Sequence, residues 1–293
     1  MRRSPYTVLL LAVVCTSFGS ILVRLADAPA LAVSFYRVAL ASLVLLPFAA
    51  GEARTSWPVL TARQRLLLVG AGVALASHFA TWIASLSLTS IAASTLLVNT
   101  APVFAVLLAW LFLREPPTRV LLVAIPVALL GAALIAVGDT AASPGSLAGN
   151  LLALAGAVSL AVYTVVGRGL RAALPLNAYV LGVWATAALT LGLLAGTLGV
   201  PFTGYDARTW AAFAALALVP TLGGHGLVNR SLRYLAAPTV GLFMLGEPVG
   251  ASILAWLLFG EIPGRWTLVG GVIVLAALAL VLTRRDRPQS PRA

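Results

Sequence analysis

Long apolar runs separated by brief polar breaks make up almost the whole chain: residues 6–24, 31–50, 66–88, 90–112, 119–138, 147–167, 178–199, 210–230, 237–259 and 266–283. Within each run the apolar positions are continuous rather than alternating, the pattern of buried helices and not of barrel strands. A helix needs about 20 such residues to cross the hydrocarbon core of a bilayer. The pattern therefore predicts an all-α integral membrane protein with ten transmembrane helices. The longest connections, 51–65 and 199–209, are too small to be domains.

Two of the polar breaks repeat one another. Pro102-Val103 is followed by Leu108–Leu111 (Leu-Ala-Trp-Leu), Glu115, Pro117 and Arg119. Pro248-Val249 is followed by Leu254–Leu257 (the same four residues), Glu261, Pro263 and Arg265. The offset is constant at 146 residues, the distance from Pro102 to Pro248, and it is close to half the chain. Duplicating an odd number of spans turns the second copy upside down, which is the plan of many secondary transporters. The expected division is 1–140 for the first five-helix repeat and 141–283 for the second, inverted one. The two would surround a central cavity at mid-membrane, with 284–293 a disordered basic tail.

Composition agrees. Of 293 residues 61% are hydrophobic and 9% charged, and the mean hydropathy is +1.03, leaving too little polar surface for a soluble domain. The formal charge of +11 would suggest nucleic acid in a soluble protein, but here the arginines lie between apolar runs and no polar domain exists to use them. They instead give direction. With the N-terminus in the cytoplasm, fifteen arginines fall inside and four (Arg24, Arg37, Arg208, Arg265) outside, the bias of the positive-inside rule. Both termini are then cytoplasmic, and Arg119 and Arg265 lie on opposite faces. Arg2-Arg3 before the first run imitates a signal peptide, but removal would leave nine spans and break the duplication, so the first helix is read as retained. Cys15 is alone, which rules out an intrachain disulfide or a cysteine metal cluster. All basic residues are Arg and none is Lys, a weak pointer to a bacterial source. No Gly-rich Lys-Ser/Thr phosphate loop is present, so transport would draw on gradients and no cofactor or metal is expected.

Several stretches resemble the drug/metabolite transporter superfamily in its ten-helix form with two EamA repeats. They are Phe18-Gly19-Ser20, then Leu31–Arg37 with Ala39, Leu43 and Pro47, and then Ser87–Ala93 with Pro102 and Arg114-Glu115. In the second half they are Gly149–Tyr163, Glu247-Pro248 and Gly260-Glu261. The resemblance implies that helices 1, 3, 4, 6, 8 and 9 surround the cavity while 5 and 10 lie outside. It also implies small-metabolite substrates, with aromatic and neutral amino acid exporters the most similar members, acting at a bacterial plasma (inner) membrane. The chain departs from the family pattern at Phe18, where Trp is usual, and at Ala101, which stands opposite Glu247 in the repeat.

Ionisable groups inside a bilayer cost about 2.5–3.5 kcal/mol on insertion scales, so the few at mid-run are the candidates. Glu247, beside Pro248, could bind an amine, exchange a proton, or simply tie helix nine to its neighbours. His78 and Trp82 lie one turn apart and present an imidazole and an indole on one face, either a cavity wall or an interhelical contact. His225 is expected nearer the cytoplasmic end, with a polar helix contact its plainer role. Asn99 marks the polar midpoint of helix four. Tyr163 and Phe18 occupy matching places and could offer stacking faces, and Met244 an adaptable wall. Trp110 and Trp256 read as interfacial anchors, and Gly223-Gly224 and Gly270-Gly271 as close helix approaches. No Arg is expected deep in the membrane, Arg37 coming nearest, which weighs against a nucleotide-sugar carrier. That class, drug carriers and vitamin carriers remain alternatives. An intramembrane enzyme using His78, His225 and Glu247 would lack any nucleophile or metal motif. Partners are a small-molecule substrate and the lipid bilayer, with monomer or homodimer left open.

Overall fold

In a computed structural model, residues 5–113, 119–140, 146–170, 174–231 and 243–283 are described. The basic tail 284–293 and the Arg114-Glu115 motif lie outside the described residues. The elements are α1 (Pro5–Leu25), α2 (Ala30–Ser56), α3 (Ala62–Ser85), α4 (Ile91–Val98), α5 (Ala101–Leu113), α6 (Arg119–Thr140), α7 (Ser146–Leu170) and α8 (Leu176–Thr197). There follow α9 (Ala207–Leu216), a π-helical segment (Ala217–His225), α10 (Gly226–Ser231), α11 (Gly246–Phe259) and α12 (Arg265–Thr283). Among the described residues there is no strand. Seven rods among the described residues are long and apolar enough to cross a membrane, and α6, α11 and α12 supply shorter apolar stretches. The ten predicted spans are all represented: α4 with α5 forms the fourth, and α9 through α10 forms the eighth.

Local chemistry explains where the rods start, break and stop. Thr61 and Gln64 cap α3 reciprocally, Ser90 accepts from the Ala93 amide at α4, and Asp206 accepts from the Thr209 amide at α9. Each satisfies a backbone donor that the first turn leaves orphaned. Two breaks follow from prolines, which have no N–H to give the carbonyl four residues back. Span four stops at Asn99-Thr100 and restarts at Ala101, just ahead of Pro102; α11 starts at Gly246, just ahead of Pro248. The duplicated sequence is thus a duplicated restart. In span eight Pro220 has no N–H to give the Leu216 carbonyl, so the ordinary i→i+4 bond cannot form there. The chain winds instead as a π-helix with bonds five residues apart, and the Thr221 hydroxyl also donates to the Leu216 carbonyl at 2.8 Å.

Packing follows an approximate two-fold axis. α3 lies on α7 while the π segment lies on α1; α4 and α5 lie on α7 while α11 lies on α1. Each of these pairs is the repeat image of the other. Three spans meet their own copies: α2 packs on α8, α6 on α12 and α4 on α11, as self-complementary contacts about a two-fold must. Five spans per copy invert one half relative to the other. The α6–α12 crossing depends on glycine, since a side chain at Gly270 would run into the Gly131 carbonyl oxygen at 2.5 Å, a close helix approach of the kind small residues permit. Outward faces carry bare apolar side chains such as Leu43 (63% exposed), Phe48 (73%) and Leu193 (72%). Buried positions meanwhile include Arg37, His78, Thr16 and Ser17. This polarity is the reverse of a soluble fold and suits lipid outside.

Candidate functional site

At the centre, where α1, α2, α3, the π segment and α11 converge, stands the side chain that the sequence reading misplaced. Arg37 was counted among the outside arginines; it is 1% exposed. It is the eighth residue of α2, about 10 Å along the helix from its start. Its Nε donates to Thr221 Oγ1 at 2.9 Å, and its Nη2 faces His225 Nε2 at 3.3 Å. The guanidinium carbon lies 4.3 Å from the centre of the Phe79 ring and 5.5 Å from that of Trp82. Cation–π attraction of this kind is worth about 2 kcal/mol or more when desolvated, which helps offset the burial of the charge. Arginine has only donors, so His225 Nε2 must be the accepting nitrogen.

The π segment is what makes these contacts possible. Pro220 and the extra residue in the turn rotate Thr221 and His225 toward α2, and Gly224 lets the segment close on α1, where a side chain would strike Thr16 at 2.5 Å. His225 therefore belongs to the central cluster and is not a contact near one end.

On α3, His78 is 5% exposed. Its Nδ1–H donates to the Gly156 carbonyl oxygen of α7 at 3.0 Å, which fixes its tautomer. Its ring lies parallel to Trp82, 5.9 Å away with 4° between planes. Trp82 is 4% exposed, and among the described residues its Nε1 has no hydrogen-bond partner; neither has Arg37 Nη1. Leaving a buried donor unsatisfied costs about 1–3 kcal/mol, so two at one place are unusual.

Glu247 enters from the other side. It lies in the first turn of α11 rather than at the middle of a helix, so Pro248 needs no hydrogen bond there. Its carboxylate lies beside the Thr16 hydroxyl, and its carbonyl oxygen accepts from Ser17 Oγ at 3.4 Å. Arg37 and Glu247 act on one another electrostatically, yet they do not touch. Among the described residues the ion pair within 4.0 Å is Arg24–Glu261.

Four of the eight sequence candidates, His78, Trp82, His225 and Glu247, thus meet around Arg37. Phe18 and Met244 are half-buried beside them in sequence, near Thr16 and ahead of Glu247. Tyr163 is half-buried against the main apolar core. Asn99 turns to its own helix, donating to the Thr95 carbonyl oxygen at 2.8 Å at the span-four break, and joins no cluster. Span two, absent from the helices expected to line the centre, supplies the key charge. The signal was available, since an ionisable residue six positions inside an apolar run is costly unless used. A groove of about 570 Å³ between α4, α11 and α12 is lined mostly by apolar residues and by none of these charged side chains, although Pro248, next to Glu247, is part of its wall. Its chemistry suits a lipid chain, so the charged centre is the better site for a polar solute.

Inverted halves, restarted helices and one buried polar centre between them define a membrane carrier of the secondary-transporter class. The profile of the EamA-like transporter family matches residues 3–137 and again 147–283, and the chain belongs to that family. It is 26% identical over 280 residues to an uncharacterized transporter of Archaeoglobus fulgidus, covering 96% of each chain. It is 32% identical over 205 residues to a "probable terminal-alkyne amino-acid exporter" of Streptantibioticus cattleyicolor, covering 68% of this chain and 67% of that one. A solved crystal structure shares the fold at a TM-score of 0.64 with 20% identity, covering 96% of this chain and 97% of that one.

Proposed function

We propose that this transporter exports neutral or aromatic amino acids across a bacterial plasma membrane by alternating access, with both termini in the cytoplasm. One observation carries the reading: two opposite charges from different halves, Arg37 and Glu247, stand at the same centre without pairing. An amino acid offers the matching couple, a carboxylate for the guanidinium and an ammonium for the carboxylate. Trp82 and Phe79 supply flat apolar faces for its side chain. An amino-acid exporter among the relatives supports the same class of cargo. The units that rock against each other are the halves 1–140 and 141–283, and Glu247 is the group through which proton exchange would be coupled.

A deep arginine also reopens the nucleotide-sugar alternative, which its supposed absence had weighed against. A diphosphate carries at least two negative charges, however, and would meet one arginine with a carboxylate close by. The single cation and single anion fit a zwitterion better.

Counterflow tests the reading. Purified protein in liposomes preloaded with unlabelled L-phenylalanine or L-leucine should accumulate the labelled form. Absence of exchange for every neutral or aromatic amino acid would refute it.

A further inference from the structure

We infer that Arg37 Nη1 and Trp82 Nε1 together form a seat for a carboxylate, the end of the substrate that α2 and α3 hold, leaving Glu247 for the amine. The inference rests on the amino-acid reading above and assigns its polarity.

The argument starts from what each donor already has. Arg37 has five N–H groups in a rigid fork. One edge is used by Thr221 and His225. Thr221 can accept there because its own proton goes to the Leu216 carbonyl, so that edge is fixed by the π segment. Nη1, on the remaining edge, has no partner. Trp82 has a single polar atom, Nε1, a donor with no partner either. The indole cannot turn away to find one, because His78 stacks on it and is itself anchored to Gly156. The guanidinium carbon and the indole centre are 5.5 Å apart. Two neighbouring donors, both more than nine-tenths buried, call for one acceptor with two oxygens, and a carboxylate is that group. The protein's own nearby carboxylate does not fill the place: Glu247 sits by Thr16 and makes no ion pair with Arg37.

The test separates the two ends of an amino acid with half-molecules. Phenylacetate carries the carboxylate alone and phenethylamine the ammonium alone. Binding of each to the full-length detergent-solubilised protein is measured by calorimetry. Trp82→Phe keeps an aromatic face but loses the N–H donor together with the indole's second ring, so the phenethylamine arm reports any loss due to packing alone. The variant should weaken phenylacetate about tenfold or more, as expected for a lost hydrogen bond to a charged group, and leave phenethylamine unchanged. Glu247→Gln should do the reverse. Arg37→Lys, which keeps the charge but loses the fork, gives a second variant with the same expected loss for phenylacetate. Equal phenylacetate affinity in wild type and both variants overturns the seat, as does a parallel loss of phenethylamine in Trp82→Phe, which would mean packing. The outcome is independent of the transport reading. Trp82-dependent phenylacetate binding without amino acid counterflow keeps the seat and removes the cargo; counterflow with insensitive binding does the opposite.

Discussion

Two arginines of the first half, Arg24 and Arg37, each face a glutamate of the second half, Glu261 and Glu247, and they are treated in opposite ways. Arg24, in the last turn of α1, donates through Nε to the Leu86 carbonyl, through Nη2 to that of Thr89, and through Nη1 to Glu261 at 3.4 Å. Glu261 in turn accepts the Ile91 amide that opens α4. All three nitrogens are used and both side chains are partly exposed, at 31% and 21%. Arg37 is sealed from water, keeps a nitrogen in reserve, and stands apart from its glutamate. The first couple is a clasp between α1, the α3–α4 turn and the α11–α12 turn. The second has the incomplete bonding of a place built for something else. Buried charge left unpaired is costly, and the aromatic rings and π segment that hold Arg37 show how much of the fold is arranged to keep it there.

The comparison breaks most visibly at Arg37. Arg37→Ala removes hydrogen bonds to Thr221 and His225, each worth about 1.5–3 kcal/mol when the donor is charged, and leaves Glu247 without an opposing charge. Counterflow of labelled L-phenylalanine should fall by roughly a hundredfold or more, with Arg24→Ala lowering it only a few-fold. Comparable losses in the two variants would mean that both arginines are structural. A chain read as inverted halves also predicts that single cysteines placed at Arg119 and Arg265 react with impermeant reagent from opposite faces of sealed vesicles; labelling from one face would remove the basis of the whole comparison.

Glu261 should give a smaller effect, on stability rather than on cargo. Glu261→Ala frees the Ile91 amide and one nitrogen of Arg24. Loss of a capping contact costs about 1 kcal/mol, and a partly exposed ion pair adds about 0–1 kcal/mol. A drop of a few degrees in the thermal midpoint is expected, with phenylacetate and phenethylamine binding as in wild type. A selective loss of one half-molecule would move Glu261 from the clasp into the site.

How much of this was legible from the residues differs between fold and site. Apolar run lengths carried the ten spans, and the repeated arm carried the halves, because both depend on local composition and on copying. The restarts before Pro102 and Pro248 were half visible: a proline announces the lost hydrogen bond, but the helix beginning at Gly246 places Glu247 in a first turn, not at mid-helix. Arg37 was misread because loop counting assigns every arginine to a face of the membrane, and only the packing of Phe79, Trp82 and Thr221 around it reveals an interior use. Taking it out leaves three arginines outside, which sharpens the charge bias. The π segment had no clear signature beyond Pro220 and Gly223-Gly224, yet it delivers Thr221 and His225. Asn99, polar and central in sequence, is occupied by its own helix.

The smallest effect belongs to a charge with no part in either couple. Asp206 begins α9 at the end of the bundle that carries Arg24, fully exposed, and its carboxyl is held below the ordinary 3.8 by the side chain and then the amide of Thr209. A depressed folded value means that the ionised form is the one that caps. Its contribution is therefore complete above the ordinary aspartate range and lost as pH falls through the lowered folded value. Thr209 is also the residue whose hydroxyl accepts the Asp27 amide at 3.1 Å, so fraying here would loosen the α1–α2 turn but leave Arg37 untouched. Amide exchange should show Thr209 losing protection in acid, below about pH 4, with Asp206→Asn flattening the profile. Protection at Thr209 that is independent of pH in wild type would show that the cap does not depend on the charge.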